Sequence, residues 1–214
     1  MREILHYEDY EAVTDSIFTC NNIVLKFTAK LSYRGSNGER KNYYSEFTYN
    51  SKRYNDQPVT SIQRTISSFI SIGNVRANED GIRESIMITY QDMYYTLSKF
   101  QEMYMILMEA YQYNSNNRLE LKKVYDPVRL DLNGKHMEMI PVILNYDSTQ
   151  LRGVRITLQT CDNFTDITID QFMGIKYILE HIDIYGYTLS ILSYVGRPEY
   201  GTNNNSKNNT SPFK

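Results

Sequence analysis

Glu84-Ser85-Ile86-Met87-Ile88-Thr89 runs without a break into the apolar-striped stretch 90–113, and Asp166-Ile167-Thr168 runs in the same way into residues 169 to about 195. In both copies a strand-like segment ends in Ile-Thr, and the hydrophobic period then changes from two residues to 3.6. The repeat predicts an α+β chain of two antiparallel β-sheet units, each closed by a C-terminal helix, with the helices packed together and the sheets free on one face. The free face is where function is expected.

Working outward, residues 1–21 read as a polar and aromatic leader with room for one short helix, 22–113 as the first unit and 118–195 as the second. Residues 23–33 alternate, with Ile23, Leu25, Phe27, Ala29 and Leu31 on one side and Lys26, Thr28 and Lys30 on the other, as a half-buried strand must. The Asn37-Gly38 pair then predicts a hairpin onto the alternating run 43–49. Residues 59–72 are rich in β-branched side chains but also place Ile62, Ile66, Phe69 and Ile70 at helical spacing; a strand is the reading adopted. Residues 85–89 complete the first set of strands, and Leu97, Phe100, Met103 or Tyr104, Leu107 and Tyr111 form the helical stripe.

Asn114-Ser115-Asn116-Asn117 separates the units. The second unit offers strands near 119–125, 136–146, 153–160 and 164–168, with Pro141 marking an edge or a bulge. Thr168 and Gln171 have capping-box spacing ahead of the stripe Phe172, Ile175, Ile178 or Leu179, Ile182, Tyr185 and Leu189. Gly186 is positioned to kink or divide that helix. The tail 196–214 is Asn-rich and nearly devoid of apolar residues, so disorder is expected there.

With 41% hydrophobic and 22% charged residues in 214, the chain has an ordinary globular balance. Its aromatic set is skewed to 20 Tyr and 8 Phe without Trp, a supply of flat amphipathic surface. A formal charge of -2 argues against a generally polycationic protein, but Lys26, Lys30, Arg34, Arg40, Lys41, Lys52 and Arg53 face only Glu39 and Glu46 over the same stretch, a local net of +5. Cys20 and Cys161 stand alone, and His6, His136 and His181 have no ligand or triad spacing; no Gly-rich phosphate loop or nucleophile motif appears. These absences predict a non-enzymatic protein with neither metal nor cofactor. The first residues lack the apolar core of a signal peptide, and the expected place of work is the cytoplasm, that of the host cell if the protein is viral.

Strands followed by a helix, twice over, with Glu84 to Thr89 as the most similar stretch and 164–192 as a looser echo, resemble the Whirly fold of single-stranded nucleic-acid-binding proteins. The resemblance implies homo-oligomers and sheet faces on which unstacked bases lie. The residues themselves suggest the same chemistry: Lys26, Lys30, Arg34, Arg40, Lys41, Lys52 and Arg53 as phosphate contacts, Tyr43, Tyr44, Phe47 and Tyr49 as stacking groups, and Arg152 and Arg155 from the second unit. A strand face of Lys, Thr and Ser is more commonly plain solvent surface, and the clustering of charge is what raises it above that level. Two functions follow. One is binding of single-stranded DNA, or RNA, in replication, recombination or repair, and the compact, Asn/Tyr/Ile-rich, motif-poor chain points to a bacteriophage. The other is a non-enzymatic protein-binding module, a virion component or an inhibitor of a host factor.

Overall fold

The computed structural model describes residues 2–6, 10–35, 53–54, 57–58, 62–77, 81, 83–158, 164–184 and 186–188. The chain is α+β. The first sheet is an antiparallel meander of β1 (Arg2–His6), β2 (Tyr10–Cys20), β3 (Ile23–Gly35), β6 (Ile62–Asn74) and β7 (Ser85–Thr89), in that order, followed by helix α1 (Met93–Glu109). The second is a meander of β10 (Val128–Leu132), β11 (Lys135–Tyr146), β12 (Thr149–Leu158) and β13 (Phe164–Thr168), followed by α2 (Ile169–His181). Two short pairs, β4 (Arg53–Tyr54) with β5 (Gln57–Pro58) and β8 (Tyr111–Tyr113) with β9 (Leu119–Leu121), complete the described strands. Four strands and a helix therefore recur in the same order, and β1 is an additional edge strand of the first sheet only.

The junctions that define the repeat share one device. In the first copy Asp92 reaches back so that its Oδ2 accepts from the backbone N–H of Thr89 at 3.0 Å; in the second the Oε1 of Gln171 accepts from the N–H of Thr168 at 2.9 Å. Both are a threonine answered by the residue three positions on, which satisfies a donor where strand turns to helix. Thr168 also accepts from the N–H of Gln171, completing the expected capping box.

Alternation settles what each sheet buries. On β3 Ile23, Leu25, Phe27 and Ala29 are inside, matched in register by Ile70 and Ile72 of β6 and by Ile86 and Ile88 of β7. Val128, Leu130, Met137, Met139, Val154, Ile156, Leu158 and Ile167 do the same in the second sheet. Both inner faces and both helices contribute to one continuous core, and at its centre the rings of Phe100 and Phe172 stack at 5.4 Å with planes 11° apart. The two units are thus repeats in topology that share a single interior. The joint is also reciprocal: Asn21 in the β2–β3 turn donates from Nδ2 to the backbone oxygen of Asp166 at 2.7 Å, and Lys135 beside the β10–β11 turn donates to that of Ser85 at 3.0 Å.

Several sequence expectations change. The leader is not helical: residues 2–6 and 10–20 are β1 and β2, integral to the first sheet. A bulge between Ser16 and Phe18 shifts the register, so Val13 pairs with Ala29 and Phe18 with Leu25 across an odd interval, which hides the two-residue period. The hairpin between 23–33 and 43–49 does not form along β3, because β2 occupies one edge and the 13-residue β6 the other. Residues 43–49 lie outside the described residues. Stretch 59–72 is a strand, as expected, seen from Ile62.

α1 stops at Glu109, not 113, because Tyr111 turns to bury its ring and donate its hydroxyl to Gly153 O at 2.6 Å and Val142 O at 3.3 Å. The Asn114-to-Asn117 break is a hairpin turn in which Asn114 Oδ1 accepts from the N–H groups of Asn116 and Arg118. α2 ends at His181, with the break at extended Ile182, so the division precedes Gly186. The tail 196–214, Tyr185, Leu189 and Cys161 lie outside the described residues. Pro141 sits in β11 just beyond the last β10 partner, Met139, where only β12 pairs with it.

Gly153 is required by crowding. A Cβ there would lie 2.6 Å from Leu144 Cγ and 2.8 Å from the backbone oxygen of Ile167. Gly153→Ala is therefore expected to cost about 1–3 kcal/mol, read as a lower urea midpoint at unchanged slope. A neutral result would mean that β12 and β13 are not held this closely.

Candidate nucleic-acid interface

The outer face of the first sheet follows from the same alternation. Thr14, Ser16 and Thr19 of β2, Val24, Lys26 and Thr28 of β3, Phe69, Ser71 and Gly73 of β6, and Ser85, Met87 and Thr89 of β7 share it by register. It is a face of hydroxyl groups, several of them adjacent, with Thr14 and Thr28 hydrogen bonded at 3.1 Å. Lys26 lies at its middle, between Ser16 and Ser71.

Toward the β2–β3 turn this face hollows into a cleft of about 320 Å³, lined by Ser16, Thr19, Val24, Lys26, Ser71, Gly73, Asn74, Val75, Arg83, Glu84 and Ser85. Gly73 allows the close approach of β7, since a Cβ would sit 2.8 Å from that of Ser85. Among the described residues no carboxylate pairs with Lys26, Arg83 or the adjacent Arg76, whereas Lys99, Arg129, Arg155 and Lys176 each have an acidic partner. Glu84 is the acid of the lining, is nearly buried, and is itself engaged. Hydroxyl donors beside cations without acidic partners form a surface suited to phosphate oxygens.

The sequence-derived site residues separate into groups. Lys26 is in the cleft. Lys30 and Arg34 follow it on β3 at the same parity, and Arg53 is in β4, opposite Pro58. Arg40, Lys41, Tyr43, Tyr44, Phe47, Tyr49 and Lys52 lie outside the described residues. Arg152 is exposed, its guanidinium carbon 5.6 Å from the centre of the Tyr111 ring. Arg155 is held by Asp166 through two hydrogen bonds, Nε to Oδ1 at 2.8 Å and the terminal nitrogen to Oδ2 at 3.0 Å, and it lies over the Phe164 ring at 3.8 Å. The hydrogen bond to Asp166 raises its already high pKa further.

Arg83, Phe69 and Phe164 were not singled out from sequence. Phe69 belonged to an ambiguous segment, and its outer position became definite only with the β6 register. Arg83 lies in a loop, where no periodicity assigns a direction. Among the described residues no cluster of three or more metal-ligating side chains occurs, and no helix is long and apolar enough to cross a membrane. No family model, curated protein or solved structure matches this chain.

Proposed function

We propose that the protein binds single-stranded nucleic acid, DNA foremost, along the outer face of its first sheet, as a Whirly-like component of a replication, recombination or repair system. The observation that carries this reading is the hydroxyl-lined cleft with Lys26 and Arg83, neither of which is neutralised by a described acid. Phe69 stands one row from Lys26 on the same face, so an aromatic plane adjoins the phosphate-binding groups. Local charge of this kind acts within about 10 Å at moderate salt, which makes a formal charge of -2 for the whole chain compatible with strand binding.

Anisotropy titrations with labelled single-stranded DNA, RNA and duplex test it. The Lys26→Ala, Arg83→Ala double variant should weaken single-strand binding to a similar degree for all sequences and lower the slope of log affinity against log salt by about 1.4, two phosphate contacts at about 0.7 each. An unchanged slope and affinity would remove the cleft from the interface.

A different surface favours the second reading, a protein-binding module. On α1 Tyr94, Met105 and Met108 are exposed, Tyr94 at 86%, and Val124 nearby is 95% exposed. Apolar contacts of this type are insensitive to salt, so the same titration series separates the readings. Homo-oligomers are part of the main proposal, since linked surfaces make each further contact on a long strand effectively intramolecular.

A further inference from the structure

Arg155 is poorly arranged for the phosphate contact that its charge suggests. Two of its five N–H donors and its charge are taken by Asp166, and its guanidinium carbon lies over the Phe164 ring, 3.8 Å from the ring centre. The same contacts make it a good plane. A bidentate carboxylate fixes the fork in orientation, so the side-chain entropy that a ligand would otherwise have to remove is already lost. The surface remains open, with the Arg155 side chain 36% and Phe164 50% exposed on the outer face of an edge strand and its neighbour.

We propose that Arg155, Asp166 and Phe164 form a nucleobase-stacking platform on the second sheet, with Arg155 acting as a plane and Asp166 as the residue that positions it. This rests on the strand-binding reading above and adds where one base is held. Guanidinium and aromatic planes both stack on bases with little regard to sequence, because every base presents a π-face. The platform is also joined to the phosphate cleft. Asn21, whose Nδ2 donates to the backbone oxygen of Asp166, sits in the β2–β3 turn between Thr19 and Val24 of the cleft wall, so the strand that carries Asp166 is tied to the hairpin that lines the cleft.

Single-stranded DNA carrying 2-aminopurine, titrated with the full chain and with Arg155→Lys, Arg155→Ala and Phe164→Leu, tests the platform. Phe164→Leu keeps apolar volume at a half-exposed site and removes the ring, so the fold is retained. Phe164→Leu and Arg155→Lys are each expected to weaken binding about fivefold or more and to relieve 2-aminopurine quenching, with the salt slope unchanged. Normal affinity and quenching in both would overturn the platform, as would a salt slope flattened by Arg155→Ala and restored by Arg155→Lys, the behaviour of a phosphate contact. If the slope responds to Lys26 and Arg83 but neither platform variant matters, the platform alone fails. If the parent protein binds no single strand, both proposals fail together.

Discussion

Replacing Phe172 by alanine is expected to lower stability by about 3–5 kcal/mol, a large share of the 5–15 kcal/mol typical of a folded domain. Its ring is fully buried and stacks on Phe100, which joins the helix closing one sheet to the helix closing the other. Ile175, Leu179, Met103 and Leu107 surround the pair in the same interior, and their positions on two regular helices limit how far the cavity can collapse. Phe100→Ala should cost a similar amount, and the double variant less than the sum by about 0.5–1.5 kcal/mol, the value of the aromatic contact itself. Because both units feed one core, urea should unfold the chain in a single transition that shifts as a whole. Two separated transitions, or a loss below about 1.5 kcal/mol, would show that the helices do not join the units.

The two stripes to which these rings belong are legible in the sequence for a physical reason, whereas their stacking on one another is not. Long helices with one apolar stripe repeat the same spacing over several turns, and Thr168 with Gln171 marks a start, so α2 begins at Ile169 as expected, whereas α1 begins at Met93, after a turn over 90–92 that the stripe does not reveal. Neither C-terminal end is marked in this way. Tyr111 fits the helical stripe as well as it fits a strand, and only the carbonyls of Gly153 and Val142, far away in sequence, decide between them. Similarly, β2 is obscured by one extra residue at its bulge, whereas β10, absent from the expected strands, carries a strong hairpin signal in Asn133-Gly134 between two alternating runs.

Charge was less legible than burial. Lys26 and Arg155 read alike in the sequence, each a cation at an outward position of a strand. One has no acidic partner among the described residues and the other is locked to Asp166 across the ladder. Which cations remain open to a ligand depends on cross-strand register, which sequence alternation does not specify.

Tyr111 supplies a test that depends on pH. Burial pushes its phenol from the usual 10 up to about 12, and Arg152 beside it, which favours the phenolate, offsets only part of that shift. In the unfolded chain the hydroxyl ionises near pH 10, whereas in the folded protein it keeps its proton for about two further units. The stabilising contribution is therefore complete below pH 10 and is lost as pH rises through 12, amounting to about 3 kcal/mol in total. Tyr111→Phe has no proton to lose there. Near pH 8 it should be the less stable of the two by about 1 kcal/mol, since the hydroxyl no longer donates to Gly153 O and Val142 O. Stability measured by urea at intervals between about pH 8 and 12 should then fall more steeply for the parent, and the two curves should converge or cross; the other tyrosines titrate in both proteins and cancel in the difference. Parallel curves over that range would mean that the hydroxyl is not buried between the second sheet and the end of α1.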